Sequence, residues 1–237
     1  MKNSTKEIIN EINTYRDESK AAFLPRFFKT GKGEYGEGDQ FIGVVVPNLR
    51  IVAKKHFDAD FDTLRELLAS PYHEYRLTAL LALTYRYAKL KDHASRETCV
   101  NFYVSQVDAI NNWDLVDLSC YKILGHWLFD KDKQLLYDWA KENHLWKQRI
   151  AMISCMHFVK QGEFKDALAI ADLLQHHPHD LIHKAVGWIL REIGKEDEQL
   201  LVDYLTPRYK KMPRTMLRYA IERFEEGKRK AFLNSEI

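Results

Sequence analysis

The chain has little of what marks secreted, membrane or nucleotide-handling proteins. Its cysteines are few. Cys99, Cys120 and Cys155 are odd in number, far apart and set in apolar helical stretches. That pattern excludes a disulfide framework and zinc-type spacing, and fits reduced core thiols in a cytoplasmic protein. No apolar run approaches the roughly 18 residues that a membrane span needs. The opening segment MKNSTKEIINEINTYRDE is polar and acidic, unlike a signal or transit peptide. The motifs G-x-S-x-G, P-loop, H-E-x-x-H and C-x-x-C are all missing, so the usual hydrolase and nucleotide chemistries have no candidate residues. Nor does net charge announce a nucleic-acid partner, at only +2. Strands are scarce too. The one plausible strand, FIGVVVP at 41–47, has no partner and reads as an ordered loop or helix entry.

What is present is helical periodicity almost throughout. LTALLALTYRYAKL, VDLSCYKILGHWLF, RIAMISCMHFVK and KAVGWILREIGK each place apolar residues three and four apart. Turn chemistry separates these runs at Ser70-Pro71, Asp130-Lys131-Asp132, Gly162, His177-Pro178 and Met212-Pro213. Pro71, Pro178 and Pro213 suit the starts of the helices that follow, where a missing amide matters little. With 237 residues and 46% hydrophobic content, the chain can bury one continuous core as a single domain.

The first 45 residues differ from the rest. They predict an amphipathic helix near 4–18, a short second helix near 20–30, and then the loop TGKGEYGEGDQ. Gly31, Gly33 and Gly36 in that loop formally spell G-x-G-x-x-G. A dinucleotide fingerprint needs a strand before it and a helix opening on its last glycine. Here a helix precedes it, and Glu34, Glu37 and Asp39 would repel a pyrophosphate. The loop reads as a flexible connector.

Beyond the loop, one register repeats. Arg76 in EYRLTAL, Asp117 in LVDLSCY, Arg149 in KQRIAMI, Lys184 in IHKAVGW and Arg218 in MLRYAIE follow one another at steps of 41, 32, 35 and 34 residues. That is the period of a helical-pair repeat, and equivalent positions of such a stack line one face. The face is cationic except at Asp117. The stretch from Thr206 to Lys230 adds to it, with nine Lys or Arg residues against three acids, including Arg214. A solvated terminal helix explains that stretch equally well.

Aromatic residues join this register. Trp113 lies four residues before Asp117, so a helix puts both on one face. Trp146 sits three residues before Arg149. Lys184, Trp188 and Arg191 follow at i, i+4 and i+7. Tryptophan at helical spacing is more often core than ligand, and a lone aspartate is often a cap or an ion-pair partner. Their coincidence on one register favours use. His176, His177, His179 and His183 also cluster, but no carboxylate or cysteine completes a ligand set near them, so no metal is expected.

An indole face and a carboxylate both stabilise positive charge. Alkylation of a purine at N3 or N7 makes the base cationic, and breaking its glycosidic bond leaves an oxocarbenium-like sugar. A carboxylate beside that sugar stabilises the cation and orients or deprotonates water. Flanking cations would hold phosphates.

The segments Trp113-Asp114-Leu115-Val116-Asp117, Leu145-Trp146-Lys147-Gln148-Arg149 and Lys184 through Glu192 closely resemble the AlkD family of bacterial DNA alkylation repair glycosylases. Phe41-Ile42-Gly43-Val44 with Pro47 and Arg50 is similar to that family's N-terminal pattern. The resemblance covers roughly residues 20–225, in order. It implies an all-α fold, a right-handed α-α solenoid of HEAT-like repeats with a concave basic face. It also implies one domain over 1–237, with N-terminal helices and the glycine-rich loop over 1–45 and repeats over 46–225. The implied activity is excision of cationic alkylpurines, such as 3-methyladenine and 7-methylguanine, from duplex DNA by a cytoplasmic monomer without cofactor or metal.

By the same resemblance Asp117 is the catalytic carboxylate, Trp113 and Trp188 are the cleft tryptophans, and Arg149 contacts phosphate. Lys184, Arg191, Arg214 and Arg218 join Arg149 as DNA-binding residues. The family is described as leaving the lesion in the duplex and contacting its deoxyribose, so no deep base pocket is expected. One departure is visible: an N-terminal aromatic that is Tyr in the family stands here as Phe27, without the hydroxyl. Non-excising paralogues lack the Asp and Trp set, which this chain retains. The competing expectation is a non-catalytic HEAT-repeat module that binds DNA or protein, since fold alone does not imply function.

Overall fold

A computed structural model of the protein describes residues 4–237, and among these it is all-helical. The expected all-α class is the observed one. The nearest thing to a sheet is an isolated bridge between Gln40 and Tyr72. No helix among the described residues is long and apolar enough to cross a membrane. The chain divides into two compact units, Met1–Ile123 and Leu124–Ile237.

The first unit is built around one long helix. It comprises α1 (Thr5–Asn13), α2 (Glu18–Phe27), α3 (Val46–Lys55), α4 (Phe61–Leu68), α5 (His73–Lys89), α6 (His93–Ser105) and α7 (Trp113–Asp117). Local chemistry sets the starts. Ser4 and Glu7 form a reciprocal capping box on α1, and the carboxylates of Asp17, Asp60 and Asp92 cap α2, α4 and α6. Each cap stabilises its helix by about 1 kcal/mol. Helix α5 packs against α3, α4, α6 and α7 and is buried nearly all round from His73 to Thr84. A helix so enclosed shows no polar face. Truncating one of its fully buried leucines, such as Leu80 or Leu81, would cost about 2–5 kcal/mol.

Of the apolar run 41–47, residues 41–44 form a buried non-helical segment, Val45 is exposed, and Val46 and Pro47 open α3. The segment has no strand partner. Its amides are met by a buried carboxylate, Glu74, which accepts from Ile42 (3.1 Å), Gly43 (2.8 Å) and Val44 (3.3 Å). Gly43 has a φ of 84°, and a Cβ there would lie 1.9 Å from the Asp17 carbonyl oxygen. Only glycine fits.

The glycine-rich loop before this segment is fastened, contrary to its reading as a flexible connector. The Gly36 amide donates to the Lys29 carbonyl at 3.0 Å. Glu34 and Glu37 accept from the amides of Gly31 and Gly33, each at 2.8 Å. At its end, Gln40 exchanges backbone hydrogen bonds with Pro71 and His73 (3.0 and 2.8 Å), which drives Asp39 into the interior beside α5.

The second unit begins within a π-helical stretch, Tyr121–Gly125. It comprises α8 (His126–Leu128), α9 (Gln134–Lys141), α10 (Leu145–Val159), α11 (Lys165–Leu174), α12 (Asp180–Glu196), α13 (Glu198–Leu205), α14 (Arg214–Ala220) and α15 (Glu226–Asn234). Helix α10 packs on α9, α11 and α12, and α12 also packs on α11, α13 and α14. Gly187 lets α12 and α14 approach closely, because a Cβ there would fall 2.6 Å from the Met216 carbonyl oxygen. Helix α15 lies past residue 225 and buries Phe232 against Tyr209 and Phe224. All three cysteines are buried and unbridged.

Candidate active site

Helix α7 is a single short turn, too short to hold itself together, so its neighbours must fix it. Asn112 caps it by accepting from the Trp113 amide at 2.9 Å. Trp113 opens the helix and Asp117 closes it, both half-buried. The Trp113 indole stacks on the buried ring of Phe28, with centroids 5.4 Å apart and planes 18° from parallel. Phe27 meets the indole edge-on at 6.0 Å and is 50% exposed, and Phe23 stands one turn earlier on α2 at 60% exposure. The structure therefore brings two sequence-predicted residues, Phe27 and Trp113, into one aromatic cluster. Asp117 stays one turn from the indole on the same helix.

Beneath the cluster lies a buried ionic network. His73 Nδ1 is 3.1 Å from Asp39 Oδ2, and its Nε2 is 2.8 Å from Asp114 Oδ2. Arg76 donates to Asp39 Oδ1 at 2.6 Å, to Asn111 Oδ1 at 3.2 Å and to the Ser70 carbonyl at 2.8 Å. Asn112 Nδ2 donates to Asp39 Oδ2 at 3.2 Å. Burial alone would push the His73 imidazole down. The Asp114 and Asp39 carboxylates outweigh it and raise His73 to about 9. Burial likewise pushes the Asp39 carboxyl up, but the His73 hydrogen bond and the Arg76 charge hold it below the usual range. Asp117 lies on the far end of α7 from this network, where its charge acts on buried Tyr103. Burial chiefly, then the Cys120 and Asp117 charges, push the Tyr103 hydroxyl far up.

Arg76 corrects the register argument. Its position matches the repeat, but it is 4% exposed and committed to Asp39, so it adds nothing to a cationic face.

In the second unit the same correction applies to Trp146, which is buried at 8%. Arg149 is also buried, at 4%, and donates to the Leu181 carbonyl at the start of α12. Lys184 pairs with Asp180 at 2.8 Å on the same helix. Burial raises the Asp180 carboxyl, but the Lys184 hydrogen bond and charge prevail and hold it low. Trp188 is half-buried, and its Nε1 donates to Glu192 Oε1 at 3.2 Å. Arg191 pairs with Glu222 and reaches Glu192 at 3.4 Å, so Trp188 and Arg191 share one carboxylate. Arg214 and Arg218 on α14 are exposed. The clustered histidines shape backbone: His177 Nδ1 accepts from the His179 amide (3.0 Å), and His179 Nδ1 accepts from Leu181 (3.1 Å) to cap α12. Among the described residues, no three His, Cys, Asp or Glu side chains gather as a metal site.

The model of the DNA alkylation repair enzyme family matches residues 8–224. The chain belongs to that family. Among solved structures, the chain is similar to a predicted DNA alkylation repair enzyme from Enterococcus faecalis, with a TM-score of 0.68. That likeness spans 89% of this chain and 97% of the other at 14% identity, and so speaks for the fold. No curated protein sequence matches. Membership makes this an enzyme family of DNA alkylation repair.

The sequence assigns Phe28, His73 and Glu74 no role, and it shows Asp39 only as an acid of the loop, not as the buried partner of α5. Asp114 enters the sequence argument only within the segment 113–117. One signal was available: buried helix α5 opens His-Glu-Tyr-Arg, and charges in so apolar a helix need partners. Nothing local names those partners.

Proposed function

We propose that the protein is a DNA glycosylase that hydrolyses the N-glycosidic bond of cationic N3- or N7-alkylpurines in duplex DNA. The observation that carries this reading is the pairing on α7 of a half-buried carboxylate with an indole one turn away, the indole being fixed from behind by Phe28. A carboxylate so placed serves a reaction that develops positive charge on a sugar.

In the proposed reaction the C1′–N bond breaks, and its electron pair leaves with the base, which departs neutral. The sugar becomes oxocarbenium-like. Asp117 stabilises that cation, orients a water for attack at C1′ and takes its proton, leaving an abasic site. The Trp113 face, and on the family resemblance Trp188, attract the cationic base or sugar. The cationic leaving base already supplies the electrophilic push. Phosphates are held by exposed cations, among them Arg214 and Arg218. Phe27 offers an aromatic face where the family has a hydroxyl.

The test is release of methylated bases from alkylated duplex DNA by purified protein in chelator. Release of 3-methyladenine or 7-methylguanine supports the proposal. Duplex binding without release would overturn it in favour of a non-catalytic DNA-binding module.

A further inference from the structure

Helix α7 carries the proposed reacting carboxylate, yet a five-residue helix has almost no stability of its own. Its start is held by residues distant in sequence. Asp114, 5% exposed, points at His73 of α5, and Asn112, fully buried, points at Asp39 of the glycine-rich loop. His73 is the hinge of this arrangement. Both its ring nitrogens face carboxylate oxygens, and a carboxylate only accepts. A neutral imidazole has one N–H and one lone pair, so it would direct that lone pair at one of the two acids. Only the imidazolium satisfies both.

Charge balance says the same. The groups facing His73 are Asp39 from the loop, Asp114 from α7 and Arg76 from its own helix. Glu74, its neighbour, is turned to the amides of 42–44. With Glu74 satisfied by those amides, the four charges of His73, Arg76, Asp39 and Asp114 cancel when His73 is protonated. Without that proton the interior keeps one uncompensated carboxylate, an unfavourable state that water entry or local opening would relieve. The rings of Phe28 and Phe41 lie against the imidazole at 4.7 and 5.0 Å, and Phe28 in turn carries the Trp113 indole. A cation against aromatic faces strengthens that stack.

We propose that His73, as an imidazolium clamped between Asp39 and Asp114, is the positioning residue that fixes the start of α7, and through it the Trp113 indole and the Asp117 carboxylate. This rests on the glycosylase reading. It adds a pH dependence that the reading alone does not contain: the clamp holds while His73 is protonated and opens as pH rises through the His73 titration, near 9. Excision should therefore carry an alkaline limb that belongs to His73. Asp114→Asn keeps the shape of the side chain but removes one of the two counter-charges, which should lower the titration by about 1–3 units.

The experiment pairs nitrogen-15 NMR of histidine-labelled protein with single-turnover excision across pH, uncatalysed base loss being subtracted. The expected result has both His73 nitrogens protonated at neutral pH and base release falling as His73 titrates. In Asp114→Asn both curves should move together to lower pH, with duplex affinity unchanged. A His73 that is neutral at pH 7 in the wild type overturns the clamp, and this measurement needs no variant to fold. An Asp114→Asn profile that is slower but parallel to wild type also overturns it, because a structural role moves the rate and leaves the limb in place. A wild type that releases no base at any pH overturns the glycosylase reading itself, and the positioning role with it.

Discussion

Phe28 lies flat on Trp113, its ring 5.4 Å from the indole and 18° from parallel, while its other ring neighbours are Phe27, Phe41 and the His73 imidazole. One indole face is thus committed to structure, and Trp113 combines core and surface in a single side chain. Two substitutions separate the roles. Trp113→Ala should lose about 2 kcal/mol of stability through the broken stack and lost burial. Trp113→Phe keeps a ring on Phe28, so it should melt close to wild type yet excise cationic bases more slowly, by several-fold to about thirtyfold. Equal melting and equal rates for Trp113→Phe would remove the indole from the chemistry.

Asp117 is the second case. It ends α7, half-buried, three residues past the Asp114 that meets His73. Asp117→Asn should abolish most base release while duplex affinity stays the same or improves slightly, because a negative charge leaves a phosphate-facing surface. Binding by fluorescence anisotropy and single-turnover release measure the two separately. Wild-type release from the Asn variant would end the assignment.

Helix existence was legible in the sequence because α12 carries apolar periodicity over 17 residues, while α5 and α10 are apolar-rich runs of 17 and 15 residues set between turn residues. The pairing of Trp113 with Asp117 was legible for the same local reason. Burial of Arg76 and Arg149 within the charged register was not. A repeat position fixes where a side chain sits around a helix, whereas its exposure depends on what else arrives there. Arg76 is covered by Asp39, which lies 37 residues earlier in a loop whose glycines suggested flexibility. Asp114 meets His73 across 41 residues. Such long-range pairings leave no periodic trace.

Arg149 and Arg218 share the register but should behave differently. Arg149 is buried and holds the Leu181 carbonyl, so Arg149→Ala should cost about 1.5–3 kcal/mol, a melting shift of about 2–4 °C for each. Arg218 is exposed, so Arg218→Ala should leave melting unchanged, weaken all duplexes alike and lower the salt slope by about one unit. Calorimetry and salt-titrated binding decide between them. The reverse pattern would place Arg149 on the DNA and Arg218 off it.

Stability should depend on pH through the same buried histidine. His73 titrates near 9 in the folded protein against 6.5 unperturbed, so folding favours its protonated form. That contribution is fully present below about 6.5 and is lost as pH rises through about 9, amounting to about 3 kcal/mol. Asp39, held low, works in the other direction: its contribution is present above its unperturbed 3.8 and fades as pH falls below it. Denaturant midpoints should therefore decline as pH rises from about 6.5 toward 9. In His73→Gln the alkaline decline should shrink, and an unchanged decline would assign it to another group.

Arg191 offers a test of whether carboxylates restrain the DNA-binding surface. Its guanidinium is engaged by Glu222 of the segment following α14 and by Glu192 one residue on, and its Nε is buried without a hydrogen-bond partner. To grip a phosphate, Arg191 must give up Glu222, whose side chain is 48% exposed and so exchanges readily with solvent. Glu222→Gln removes that competitor and one negative charge. Duplex affinity should rise several-fold, with a steeper salt dependence as one more cation becomes available. Adding Arg191→Ala to Glu222→Gln should then cancel most of the gain. If the double variant binds as tightly as Glu222→Gln alone, the gain came from removing general repulsion, and Arg191 serves only to hold Glu192 and Trp188 in place.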